Sequence, residues 1–479
     1  MWIDPDPLRT GARALLALVP GIAGFPALAD ALHALLFVLG LLPFLVLLDA
    51  LDRRLEQPGR GSGASATRVA AVAVLLLGTV LAARSLHRQP SETTLSLALR
   101  WDQVALAGCA GVLLRRVPPS VRCWVLALLS LRFVLHTHGG TGVAVCVVTG
   151  VVGLLALRPR ALVSVLWTTA VQGALLCAAV FVIWRLRSID PQRGAVAYGL
   201  LAWFGLRHAS FVVESRRGYR GGIGAYLCYQ FFYPSVVDAS QVYDEFARWN
   251  LAEGTFIDRR AAARQLVAGL ALLWVANRLF APFDTLYAVR ETGRLWLAVV
   301  RQFYSATCFA AGVWAFAEGS ARLYGIVLRP NFAGVLSATD PSRFWRAFRG
   351  TMTNWLIRYV YIPLGGNRWA HLRNIVAAFA VSTLWHCSTV AFQPWPVRPS
   401  WFLPVVAWGA LNAAGVVAHS VWRREPRPVL PTGTPKPVRV LSKCLLTAVF
   451  GSFTVTLLGM GSPAAVHLRQ FVRTLLGLG

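Results

Sequence analysis

The run NIVAAFAVSTLWHCSTVAF, from Asn374 to Phe392, decides how this chain is read. Its one ionisable residue is His386, and its length is close to the ~20 residues that cross a hydrocarbon core as helix. At the helical rise per residue, His386 stands roughly 20 Å from Arg373, inside a bilayer. An ionisable side chain there costs free energy unless a partner or a water-filled cavity receives it, so His386 is a candidate functional residue. A structural histidine bonding a neighbouring helix would fit the same position.

Similar runs recur along the chain, for example Ala31 to Leu51, Arg68 to Ala83 and Ala161 to Trp184. Over 479 residues the composition is 56% hydrophobic and 14% charged, far below the charged fraction of an ordinary soluble domain. The expected fold is therefore all-α and polytopic, a single membrane domain over 1–479. Helical spans are predicted near 11–27, 31–51, 68–84, 103–115, 120–137, 141–157, 161–185, 194–214, 261–281, 294–328, 371–392, 401–421 and 438–460. Several are too short to cross and one is too long, so about ten or eleven crossings are expected, with interfacial or re-entrant helices around an intramembrane cavity. No internal repeat is visible, which argues against transporters built from paired halves.

The net charge is +27. The arginines are scattered through nearly every connection instead of forming one basic face, so anionic lipid explains them better than nucleic acid does. Lysine occurs only at Lys436 and Lys443, an arginine bias that fits GC-rich coding and a bacterial plasma membrane. The eight cysteines show no CxxC spacing, so no metal or redox centre is expected and they read as small core residues. The acidic start, Met1 to Asp6, does not resemble a secretory leader. Glu56 to Ala66 and Arg423 to Val440 read as solvated loops. The aromatic stretch Tyr226, Tyr229, Phe231, Phe232, Tyr233 and Pro234 fits either a re-entrant segment or an interfacial aromatic belt.

Upstream of His386, Asp340-Pro341 is a helix start, an acidic N-cap with proline at the first helical position. Phe344, Phe348, Met352, Trp355 and Tyr359 then follow at spacings of three and four, while Arg343, Arg346 and Arg349 form another stripe. This predicts one amphipathic helix from Pro341 to about Tyr361, lying along the membrane surface. Pro363 and Gly365-Gly366 end it.

The string FWRAFRGTMTNWLIRYVYIPLGGNR, Phe344 to Arg368, followed by STLWHC, Ser382 to Cys387, resembles the membrane-bound O-acyltransferase family. The likeness is to bacterial alginate O-acetyltransferases, teichoic acid D-alanylation proteins and hedgehog acyltransferase-like members, with a looser family-like core over about 200–425. The resemblance implies an O-acyltransferase that moves an acyl group from acyl-CoA or another acyl thioester to a hydroxyl acceptor. That acceptor could be a polysaccharide, lipid, peptide or small natural product. It places His386 in a membrane tunnel, where a neutral imidazole can take the acceptor's proton. No GxSxG elbow or Ser-His-Asp order is present, which favours direct transfer. Cys387 points about 100° away from His386 around a helix and reads as packing.

The family's second polar residue aligns with Arg349, and the place of a common bacterial aspartate is Arg358. An arginine cannot act as base but can stabilise an oxyanion or hold a phosphate. Asn354 stands near both, and with Arg358, Trp385 and Asn367 it completes the expected substrate-binding set. From Pro341 to Arg424 there is no acidic residue, a field that suits an anionic donor or an anionic leaflet equally. The competing reading is a membrane transporter or lipid-handling channel on the same fold without chemistry.

Overall fold

The computed structural model describes residues 26–56, 62–85, 101–156, 162–218, 222–235, 241–251, 257–279, 289, 291–368, 370–394, 397–423, 435–459 and 468–475. Every regular element among them is helical. In chain order these are α1 (Pro26–Glu56), α2 (Ser62–Ser85), α3 (Trp101–Leu114), α4 (Pro119–Ala156), α5 (Leu162–Ile189), α6 (Pro191–Arg216), α7 (Ile223–Phe231) and α8 (Tyr243–Asn250). Then come α9 (Arg259–Leu279), α10 (Thr292–Leu323), α11 (Pro341–Ala347), α12 (Gly350–Leu356), α13 (His371–Ala391), α14 (Phe402–Trp422), α15 (Lys436–Gly459) and α16 (Leu468–Leu475).

The hydropathy pattern locates these helices well. The two spans expected at 120–137 and 141–157 are the halves of α4, bent at Gly139 (φ 60, ψ −155). The span expected at 11–27, apart from its last two residues, positions 57–61 and 424–434 of the two expected loops, and Asp238 lie outside the described residues, while Ser62 to Ala66 and Lys436 to Val440, expected as loop, are the first turns of α2 and α15. Among the described residues six stretches are long and apolar enough to cross a membrane, in α4, α5, α6, α13, α14 and α15. Ten or eleven were expected. That number is not reached among the described residues, where charged residues interrupt two of the long helices: α9 carries Arg259, Arg260, Arg264 and Arg278, and α10 carries Arg294, Arg301, Glu318 and Arg322.

The chain groups into two compact units, Met1–Leu176 with Trp203–Trp274 and Ala311–Leu328, and Cys177–Ala202 with Val275–Ala310 and Arg329–Gly479. In the first unit, Gly269 of α9 faces Gly312 and Phe316 of α10 so closely that a Cβ at 269 would fall 2.8 Å from the Gly312 carbonyl oxygen. Small residues at such crossings let helix backbones approach. The interrupted aromatic stretch of this unit is core and not an exposed belt: Tyr226, Tyr229, Phe231, Phe232 and Tyr233 are all buried. Arg207, also buried, donates to the carbonyls of Tyr229 (2.7 Å), Gln230 (2.9 Å) and Ser235 (2.8 Å). It thereby satisfies acceptors that the end of α7 leaves open. At the end of α1, Asp52 meets Arg116 (2.6 Å), Arg259 (2.7 Å) and Arg115 (3.0 Å).

The second unit is built around α10, α13, α14, α15 and α16. Leu295, Val299, Trp408, Leu457, Phe471 and Leu475 form one core cluster. Phe303, Val335, Ala338, Phe344 and Phe348 form another. Gly409 of α14 sits directly on Thr383 of α13, and Trp408 on His386. Numbers rise on one helix as they fall on the other, so α13 and α14 run antiparallel. Of the cysteines, Cys109, Cys123, Cys146, Cys228 and Cys308 are buried as expected, Cys387 and Cys444 are half-buried, and Cys177 is exposed.

Candidate active site

α11 starts as its sequence predicts, with the Asp340 carboxylate accepting the Arg343 N–H at 2.9 Å and Pro341 in the first turn. The single helix expected from Pro341 to about Tyr361 is nevertheless broken. α11 ends at Ala347, Arg349 adopts left-handed backbone (φ 52, ψ 53), and α12 begins at Gly350. From Ile357 to Tyr361 the helix widens into a π turn. The break is held from outside the segment: Gly350 N–H donates to the Asn331 carbonyl at 2.8 Å, and both the N–H and the hydroxyl of Thr351 donate to Asn331 Oδ1 at 2.9 Å. Side-chain periodicity carries no trace of such a distant partner. The expected apolar face survives the break, since Phe344, Phe348, Met352 and Trp355 are all buried.

α11, α12, the π turn, α13 and α14 enclose a cavity of about 790 Å³. Of the residues singled out by sequence, His386, Arg349 and Asn367 are on its wall. Asn354, Arg358 and Trp385 do not line it. Asn354 gives its backbone carbonyl to the Ile357 N–H, and Arg358 belongs to the π turn. Trp385 instead packs edge-on against the imidazole of its neighbour, with ring centroids 4.9 Å apart at 77°.

His386 is half-buried, reached from the cavity. Trp408 packs against it as Trp385 does, at 4.9 Å and 78°, an edge-to-face geometry that favours a fixed ring. Trp408 is placed in turn by Trp345, whose ring meets it at 5.6 Å and whose indole N–H donates to Asn412 Oδ1 at 2.9 Å. The Asn412 amide donates to the Trp408 carbonyl at 2.7 Å. Trp385 of α13 and Trp408 of α14 thus meet the imidazole through aromatic edges, with Trp345 of α11 packed on Trp408, where soluble histidine bases more often rely on a carboxylate.

The same wall runs along α13 to His371, roughly 22 Å from His386 by helical rise. There the Tyr361 hydroxyl lies 2.6 Å from Asn367 Oδ1 and 2.5 Å from His371 Nδ1. A phenol has one proton to give. With Asn367 Oδ1 as its acceptor, Tyr361 takes a hydrogen bond from His371, which then carries its proton on Nδ1. Burial pushes the Tyr361 phenol up from its ordinary value, against the opposing pull of the Arg346 guanidinium. Arg343, Arg346, Arg349 and Arg423 line the cavity with a single carboxylate, Asp340, which caps α11 and lies 3.5 Å from His419 Nε2. This donor set suits an anion. His371 and His386 are too far apart to share a metal ion.

Sequence reasoning missed Trp345, Trp408, Asn412, Tyr361, His371 and Asn331. The tryptophans and asparagines carry no ionisable group to mark them, and Tyr361 and His371 become partners only when the turn at Gly365 and Gly366, both at positive φ, brings them together.

Comparison with known proteins adds a family-level likeness. The profile described as MBOAT, membrane-bound O-acyltransferase family, matches residues 212–393, a range that contains Arg349 and His386 but not Trp408. Peptidoglycan O-acetyltransferase of Helicobacter pylori is 28% identical over 120 residues, covering 24% of this chain and 20% of its own length. Probable alginate O-acetylase AlgI of Pseudomonas aeruginosa is 27% identical over 149 residues, 30% of this chain and 28% of the relative. Membrane-bound O-acyltransferase GUP1 of Saccharomyces cerevisiae is 30% identical over 85 residues, 17% of this chain and 14% of the relative. The matched part therefore spans less than a third of each of these relatives.

Proposed function

We propose that this chain, which belongs to the membrane-bound O-acyltransferase family, transfers an acyl group from a thioester donor to a hydroxyl acceptor, with His386 as general base. The observation that carries the reading is the placement of His386 and Arg349 on the wall of one cavity, within the stretch that matches the family. The imidazole takes the acceptor's hydroxyl proton as the oxygen attacks the thioester carbonyl. The carbon–oxygen bond forms, the carbon–sulfur bond breaks, and the imidazolium returns the proton to the departing thiolate. Arg349 stabilises the oxyanion or holds a donor phosphate, and the other wall arginines favour an anionic donor such as acyl-CoA. Two of the relatives are named for acetylation of peptidoglycan and of alginate, so a polysaccharide hydroxyl is the first acceptor to try. The setting is a multi-pass protein of a bacterial plasma membrane.

The test is transfer of label from radiolabelled acyl-CoA by purified protein. His386→Ala should reduce transfer on the order of 10²- to 10⁴-fold while the protein stays folded. Arg349→Ala should also lower it, and Arg349→Lys should recover part through retained charge without the planar fork. Full activity in His386→Ala would remove the general-base role, and no transfer by wild type from any acyl donor would end the enzymatic reading and leave a transporter or lipid-handling protein on the same fold.

A further inference from the structure

Among the described residues only two non-glycine positions have positive φ, Arg349 (52°) and Ala370 (45°). Each stands immediately before a helix that walls the cavity, α12 and α13 respectively. Left-handed backbone is unfavourable for a side chain with a Cβ, because the Cβ crowds the following carbonyl. Such strain persists only where the surroundings over-determine it, and it concentrates at functional sites.

At Arg349 the surroundings are identifiable. Asn331 is 1% exposed and holds the two residues that follow the strained one, through its carbonyl to Gly350 and its side-chain oxygen to Thr351. The consequence is visible in the arginine stripe. All three arginines line the cavity, but Arg343 and Arg346 are exposed, whereas Arg349, which in a continuous helix would extend the same stripe, is half-buried after the break.

We infer that Asn331 is a positioning residue, whose side chain keeps Arg349 in left-handed backbone and so directs that arginine into the cavity that holds His386. The inference rests on the acyl-transfer reading for its consequence in catalysis, but not for its conformational claim.

Two experiments separate these parts. The first needs no substrate. In detergent-solubilised full-length protein, Arg349→Gly should melt above Arg349→Ala by about 1–2 °C, because glycine alone adopts left-handed backbone without strain. With Asn331→Ala added, the segment is free to relax into helix, where alanine is the better residue. The order should then reverse. An unchanged order, or no difference in the first pair, would overturn the inference.

The second is a double-mutant cycle on transfer. Asn331→Ala should lower kcat on the order of 10-fold or more with KM little changed, yet cost nothing further in an Arg349→Ala background. An equal loss in both backgrounds would make Asn331 merely structural and overturn the inference. Asn331→Asp, which keeps the accepting oxygen, should recover part of the loss. If Asn331→Ala does not fold, Thr351→Val removes the hydroxyl bond alone and should act in the same direction more weakly; no effect on either readout would count against the inference. If wild type transfers no acyl group from any donor, the function fails while the melting order still decides the role of Asn331.

Discussion

Asn412 is fully buried and makes its two side-chain contacts in opposite directions, accepting from the Trp345 indole and donating to the Trp408 carbonyl. Replacing it by alanine strands a largely buried N–H, which costs about 1–3 kcal/mol, and frees the tryptophan that packs on His386. Asn412→Ala should therefore melt lower and turn over more slowly, and Asn412→Asp, which keeps the acceptor for Trp345 but turns an oxygen towards the Trp408 carbonyl in a fully buried place, should not rescue it. A variant with unchanged melting temperature would mean that the Trp345 donor has another partner. At this scale the sequence was legible only where chemistry broke a pattern. His386 stood out as the lone ionisable residue of an apolar run, and Arg349 as a departure from a resembled motif. Asn412 and Asn331 are ordinary polar residues in sequence, and their importance lies in partners that sequence does not pair with them, Trp345 for Asn412 and Thr351 for Asn331, 67 and 20 positions away.

Helices α13 and α14 meet where Gly409 lies against Thr383, and a Cβ at 409 would overlap the Thr383 side chain. Threonine is stiff at χ1, and its hydroxyl already donates to the Phe379 carbonyl at 2.8 Å. Gly409→Ala should then cost about 1–3 kcal/mol through overpacking, despite the better helix propensity of alanine. Thermal unfolding with Thr383→Ala as a second-site change checks this, since it removes the hydroxyl oxygen that the new Cβ would meet and should restore part of the loss; no destabilisation by Gly409→Ala would show that the helices can part freely. Element positions were the most legible level, because apolar runs of crossing length leave a strong trace in sequence. The misreading fell at 341–361, where spacing alone predicted one helix. There a cap from Asn331 and a left-handed arginine override local periodicity, and neither has a sequence signature.

Across the whole molecule the charge is strongly positive, yet the acidic residues that exist are placed to matter. Asp52 lies just beyond the apolar run ending at Leu51, and it joins α1 to Arg115 and Arg116 after α3 and to Arg259 at the start of α9. Burial alone would raise its carboxyl, but the hydrogen bonds and charges of Arg259 and Arg116 outweigh this and hold it below its ordinary value. A depressed carboxylate contributes stability that is complete above the unfolded value, about 3.9, and is lost as pH falls through the folded one. Asp52→Asn should thus lower stability by on the order of 3 kcal/mol at neutral pH. The deficit should stay constant from pH 8 to 5 and narrow only in acid. A deficit that fades already between pH 7 and 5 would refute the assignment.

The cavity has a further consequence for how the protein is made. Every residue that lines it falls between Asp340 and Arg423, so the whole wall leaves the ribosome before α15 does. Chains fold largely in the order of synthesis, and contacts that are near in sequence form first. The pocket can therefore take shape early, while the ring of Phe344, which ends up against Gly451 of α15, still waits for its cover. During biosynthesis the vulnerable surface is then the back of α11 and not the reactive histidine, and a lesion in α15 would expose a finished pocket to quality control from behind.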